Sequence, residues 1–150
     1  MFRQRLERIL QSVRVGESEH ALCYLDLDRF KEINDRYGHR VGDRLLSELA
    51  ALLMENIRKR DILARLGGDE FGLLMEHCNI RQVERVTNSL LNTVRNYRLE
   101  MPEGDQQIGV SIGVVAINRD SGDYDSVLHA ADNACYRAKR MGRNRIIFAK

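Results

Sequence analysis

Two acidic stretches carry residue types from which chemistry could be built. Arg65–Leu74 reads RLGGDEFGLL, with adjacent carboxylates at Asp69 and Glu70 framed by glycines and apolar residues. On its own the stretch fits a β-hairpin, because a Gly-Gly-Asp connection supplies the positive φ values that a tight turn needs. The other stretch, HALCYLDLD, is a mostly apolar run that ends in Asp26 and Asp28. Carboxylates crowded together repel one another unless a cation or a proton intervenes. Hard oxygen ligands with room for water suit Mg²⁺, with Mn²⁺ as an alternative, better than zinc. A metal site therefore requires that the two stretches meet, and the elements around them decide that.

Phe2, Leu6, Ile9, Leu10 and Val13 recur at helical spacing. Ala21–Leu25 reads as a first strand, and RFKEINDRYGH as a short helix stopped by Gly38. From Val41 the apolar positions 45, 46, 49, 52, 53 and 57 mark a long amphipathic helix with Arg58, Lys59 and Arg60 at its end. ILARL and FGLLM are two strands joined through Gly67, Gly68 and Asp69, and a helix with apolar positions from Ile80 to Val94 follows. A hairpin near Met101–Asp105 leads into the long strand IGVSIGVVAI. A helix over Tyr124–Arg140, capped by Asp123, and a strand Arg145–Phe148 close the chain. The order is β-α-β-β-α-β, an α/β (α+β) ferredoxin-like core with a mainly antiparallel sheet. That topology makes the first and third strands antiparallel neighbours. Asp26 and Asp28 should then meet Asp69 and Glu70 at one edge of the sheet.

The whole chain sets bounds on partners. Its 150 residues suit one domain, and 43% hydrophobic content is ordinary for a globular protein. A net charge of +2 argues against bulk electrostatic binding of nucleic acid. No apolar run is long enough to span a bilayer and no signal peptide is visible, so no membrane contact is expected of this domain. Cys23, Cys78 and Cys135 lie far apart without metal-ligand spacing, as expected of reduced structural thiols in the cytoplasm. The chain starts directly in a charged helix, the expectation for one domain, residues 1–150, excised from a larger protein.

Four motifs occur in register: DLDRFKEINDRYGHRVGD (Asp26–Asp43), RLGGDEF (Arg65–Phe71), SIGV (Ser111–Val114) and ADNACYRAKRMGRNR (Ala131–Arg145). Together they resemble the GGDEF-domain diguanylate cyclases over nearly the whole chain. The resemblance implies a fold related to nucleotidyl cyclases and polymerase palms. It also implies a homodimer, one GTP per subunit, that joins two GTP into cyclic di-GMP with release of pyrophosphate. It assigns the metal to Asp26, the carbonyl of Leu27 and Asp69. Asp69 takes the catalytic position and Glu70 supports it; which carboxylate acts as base is left open. Backbone groups of Phe30 and Lys31, at a helix start where free N–H groups favour phosphate, would act with Lys139 and Arg143 on the triphosphate. Asn34, His39 and Asp43 match pocket positions. An amide beside a carboxylate suits guanine, whose N1–H and N2–H₂ edge donates to Asp and leaves adenine at a disadvantage. The bland alternative for Asn34 or Asp43 is a helix cap.

Arg58 and Asp61 in RKRD have the RxxD spacing of the family's inhibitory product site, against a plain reading as a basic helix end. The family's usual LTGLxNR-like segment is missing ahead of the first helix, which bears on dimerisation and turnover. The wording YLDLDRFKEIND resembles GGDEF halves that continue into a phosphodiesterase (EAL) domain, so an upstream sensory and a downstream EAL domain are expected partners. The competing readings are a catalytically silent GTP- or cyclic di-GMP-binding module, and another palm-like nucleotidyl cyclase.

Overall fold

The computed structural model describes residues 2–16 and 18–149; Met1, Glu17 and Lys150 lie outside the described residues. Its centre is β1, His20–Asp28, longer at both ends than the apolar run suggests. It lies third in a five-stranded sheet that runs β2 (Ile62–Arg65), β3 (Glu70–Met75), β1, β6 (Gly109–Ile117), β7 (Arg145–Phe148). All neighbours are antiparallel except β6 and β7. The expected topology is present, with one correction. Because β1 is central, the acids meet at the end of the sheet and not at its edge.

Alternation along β1 sorts its side chains between two layers. Ala21, Cys23, Leu25 and Leu27 belong to one apolar cluster, shared with α2 (Phe30–Tyr37), α3 (His39–Met54) and α4 (Ile80–Asn96). Leu22 and Tyr24 belong to the other, beneath α1 (Phe2–Val13) and α5 (Tyr124–Arg140). Asp26 and Asp28 continue that second face beyond the reach of α1. Asp123 caps α5 as expected, accepting from the Ser126 N–H at 2.9 Å. The hairpin near Met101 is present as β4 (Arg98–Leu99) and β5 (Gln106–Gln107). Cys23, Cys78 and Cys135 are unpaired and buried. Burial raises the Cys23 thiol and pushes that of Cys135 up to about 12. No described helix is long and apolar enough to cross a membrane.

The helix expected to run into Arg58 ends earlier. α3 stops at Met54, and Asn56 closes it with its N–H on the Leu53 carbonyl and its side-chain amide on that of Leu52. Ile57 still packs on the core after the chain has turned, which is why its apolar position mimics another helical repeat.

Gly113 in β6 lets α5 sit against the sheet. A Cβ there would lie 2.2 Å from the Ala131 carbonyl oxygen and 2.3 Å from the Cys135 nitrogen, both backbone atoms that cannot swing aside. Gly113→Ala is therefore expected to lose about 3 kcal/mol in urea unfolding. Gly68→Ala, with nothing within 4 Å of the added carbon, should unfold close to the parent. Equal stability of the two variants would contradict this packing.

Candidate functional site

Asp26 pairs with Glu70 across β1 and β3, and the ladder continues one step, Leu27 N–H donating to the Asp69 carbonyl at 3.1 Å. The two sequence-separated acidic stretches thus meet through their backbones. Burial pushes the Asp26 carboxyl up to about 6; Lys139 opposes this, while Asp69 and Glu70 add to it. Tyr24, two residues before Asp26 and so on the same face, donates its hydroxyl to Glu70. Burial and that carboxylate raise the Tyr24 hydroxyl. Tyr24 escaped the sequence reading, although strand alternation was the signal that could have found it.

The Gly-Gly turn differs from expectation. Neither Gly67 nor Gly68 is among the positive-φ residues, so left-handed backbone is not the reason for them. Gly67 instead sits against the Glu70 carboxylate, whose Oε1 would lie 2.8 Å from an added Cβ. The turn is held by Arg65, whose guanidinium donates to the carbonyls of Gly67 at 3.0 Å and Gly68 at 2.8 Å. Leu66 N–H closes it onto the Glu70 carbonyl at 2.8 Å.

A cleft of about 520 Å³ opens beside these acids, lined by Leu27, Phe30, Lys31, Asp69, Lys139 and Arg143 among the expected residues. Arg29, Glu32 and Asp35 line it as well and were not anticipated. Arg29 holds a left-handed φ of 71° as the N-cap of α2 and provides no side-chain cap, so first-turn N–H groups remain for a ligand. Lys139 reaches in from the end of α5, its Nζ 3.3 Å from both Asp26 Oδ1 and Asp28 Oδ1. Burial alone would lower the Lys139 pKa, but the two aspartates outweigh it and raise it. Arg143 is exposed at the rim.

Asn34, His39 and Asp43 sit on the adjoining helix pair, outside the lining of this cleft. Helix capping does not account for Asn34 or Asp43, since neither α2 nor α3 has a side-chain cap bond at its N-terminus. Gly42 makes room for the Asn34 amide; a Cβ there would lie 1.8 Å from its Oδ1. That oxygen is buried without a partner, which costs about 1–3 kcal/mol that a donor on a ligand could recover. His39 and Asp43 are exposed beside it.

Arg58 and Asp61 lie at the opposite end of β3, roughly 20 Å away at strand spacing. Their side chains hold each other: Arg58 Nη2 donates to Asp61 Oδ1 at 2.8 Å and to the Glu76 carbonyl at 2.8 Å. The Asp61 side chain is fully buried, so its oxygens do not stand open to a guanine edge as the spacing suggested.

The donor set suits a hard cation: half-buried carboxylates at Asp26 and Asp69 with Glu70 adjacent. Among the described residues no three acidic, histidine or cysteine side chains converge as a ready-made cluster, so main-chain oxygen or water must complete any coordination.

The family described as "Diguanylate cyclase, GGDEF domain" matches residues 1–145. Probable diguanylate cyclase DgcE of Escherichia coli is 40% identical over 145 residues, covering 97% of this chain and 13% of that protein. The chain spans well under half the length of the first curated relatives it matches. The GGDEF domain of YfiN (TpbB) from Pseudomonas aeruginosa superposes with a TM-score of 0.91 at 32% identity, covering 99% of this chain and 93% of that one. The GGDEF domain of DgcB from Caulobacter crescentus, solved in complex with c-di-GMP, gives 0.90 at 29% identity, covering 98% and 87%. On the match across residues 1–145, the chain belongs to the GGDEF family of diguanylate cyclase domains.

Proposed function

We propose that this chain is one catalytic domain of a larger cytoplasmic signalling protein, condensing two GTP into cyclic di-GMP and pyrophosphate as a homodimer. The observation that carries the reading is the meeting of Asp26 with Asp69 and Glu70 beside a cleft walled by a helix N-terminus, Lys139 and Arg143. Mg²⁺ or Mn²⁺ held by Asp26, Asp69 and the Leu27 carbonyl would neutralise phosphate charge and polarise the α-phosphorus. The first-turn N–H groups at Phe30 and Lys31, with Lys139 and Arg143, would hold the triphosphate. Asn34 and Asp43, with His39 beside them, would receive guanine, whose N–H edge suits the unpartnered Asn34 oxygen and the open Asp43 carboxylate. Each domain orients one 3′-hydroxyl toward the α-phosphate on its partner, so catalysis is mostly positioning and charge stabilisation. Asp69, with Glu70 in support, would assist loss of the hydroxyl proton. An upstream sensory domain and a downstream EAL domain are the attached modules proposed for the full protein.

Asp69→Asn should abolish cyclic di-GMP synthesis in the domain held as a dimer, while thermal unfolding stays near that of the parent. Product at the parent rate would remove Asp69 from the centre. Turnover absent from the parent dimer, with guanine nucleotide still bound, would favour a silent binding module instead. Titration calorimetry should find GTP preferred to ATP by a wide margin, approaching 10⁴-fold for a fully enclosed pocket and less for an open one (on the order of 10²-fold). Equal affinities would sink the guanine assignment.

Product inhibition is proposed at Arg58 and Asp61, with the ion pair opening to admit the ligand. Arg58→Ala should weaken cyclic di-GMP binding by about 1.5–3 kcal/mol. It should also cost on the order of 3 kcal/mol of stability, because the buried Asp61 carboxylate keeps the backbone N–H at position 58 but loses its guanidinium partner. GTP affinity, measured on the same folded sample, should stay at the parent value. Unchanged product affinity alongside the stability loss would make RxxD a structural clasp alone.

A further inference from the structure

Asp28 was grouped with the metal-site acids by sequence, yet it does not line the cleft. It is 4% exposed, and both its oxygens are engaged by the protein itself. Oδ1 accepts from the Ser111 hydroxyl at 2.9 Å and from Lys139 Nζ at 3.3 Å. Oδ2 accepts the backbone N–H of Asn144 at 3.0 Å. One buried carboxylate therefore ties the end of β1 to β6, to the last turn of α5 and to the loop that follows it.

That loop needs such a tie. Gly142, Arg143 and Asn144 take φ of 119°, 64° and 53° in succession, and the two non-glycine residues are costly in this region. Arg95 holds the far side of Asn144, donating to its Oδ1 at 3.2 Å and to its carbonyl at 2.9 Å. Gly109 leaves just enough space, since a Cβ there would lie 3.0 Å from Asp28 Oδ2 and 3.3 Å from Asn144 Oδ1.

We infer that Asp28 is a positioning residue for the triphosphate. It anchors Lys139 directly and sets the left-handed loop that carries Arg143, so that both cations are fixed before the nucleotide arrives. Lys139 is shared between Asp26 and Asp28 at equal distances, so a ligand that draws Asp26 away leaves Asp28 as the anchor. Among the described residues no hydrogen bond or ion pair joins Asn34, His39 or Asp43 to Asp28, Lys139 or Arg143. The inference rests on the GTP reading proposed above, but it requires binding only and no turnover.

The test titrates the folded domain with α,β-methylene GTP, which cannot react, and with GMP, which lacks the outer phosphates. Asp28→Asn keeps the shape but turns an acceptor into a donor against the cations and N–H groups around it. It should weaken analogue binding about tenfold, on the scale of a charged hydrogen bond, with GMP affinity held within about twofold. Lys139→Met should produce the same selective loss, and Asp28→Asn combined with Lys139→Met should lose less than the sum of the two. Gly109→Ala gives an independent perturbation if Asp28→Asn does not fold, since it crowds Asp28 and Asn144 without changing charge. It too should weaken the analogue and spare GMP. Parent-like analogue affinity in the folded variants, strict additivity in the double variant, or equal losses for GMP and analogue would each overturn the clamp. A parent domain that binds neither nucleotide would overturn the GTP reading itself, and the clamp with it.

Discussion

Carboxylates gathered at the end of a buried central strand are the constraint around which this domain is arranged. Asp26 sits where burial and the charges of Asp69 and Glu70 all oppose its ionisation, and positive charge nearby offsets them. Lys139 supplies it within the chain. Tyr24 holds Glu70 by its hydroxyl, and Gly67 leaves space for the same carboxylate. Each of these features would be superfluous if the acids were an ordinary solvated hairpin turn.

Bringing Lys139 to that position is the task of the opposite layer. α5 approaches the sheet closely because Gly113 has no side chain, and its last turn then overhangs the acids on β1. The chain reverses after α5 through three left-handed residues and re-enters the sheet as β7, parallel to β6. Asp28 and Arg95 hold this reversal from two sides. Cleft shape and charge placement are thus consequences of sheet packing, and changes at Gly109 or Gly113 should be felt at the site although neither residue lines it.

Much of this was legible in the sequence, for identifiable reasons. Period-two alternation and helical stripes are strong over these lengths, and the β-α-β-β-α-β order alone brought Asp26 to Glu70. Local rules failed where a tertiary contact replaced them. The glycine pair suggested a left-handed turn, whereas neither glycine takes positive φ and Gly67 sits against the Glu70 carboxylate. Ile57 continued an apolar stripe after α3 had already ended, which put Arg58 on a helix it does not belong to. Asp28 and Asp61 read as available acids because spacing carries no information on burial, and both are enclosed by partners distant in sequence or folded back on them. Tyr24 is a long-range partner of Glu70 that only the strand register reveals.

The most direct test of the account is anomalous diffraction from the domain crystallised with Mn²⁺ and a non-reacting GTP analogue. The expected result is a Mn²⁺ peak bounded by Asp26, Asp69 and the Leu27 carbonyl, with Lys139 withdrawn from Asp26 toward the phosphates and still bonded to Asp28. A nucleotide bound in the cleft with Lys139 still against Asp26 and no peak between the carboxylates would contradict it.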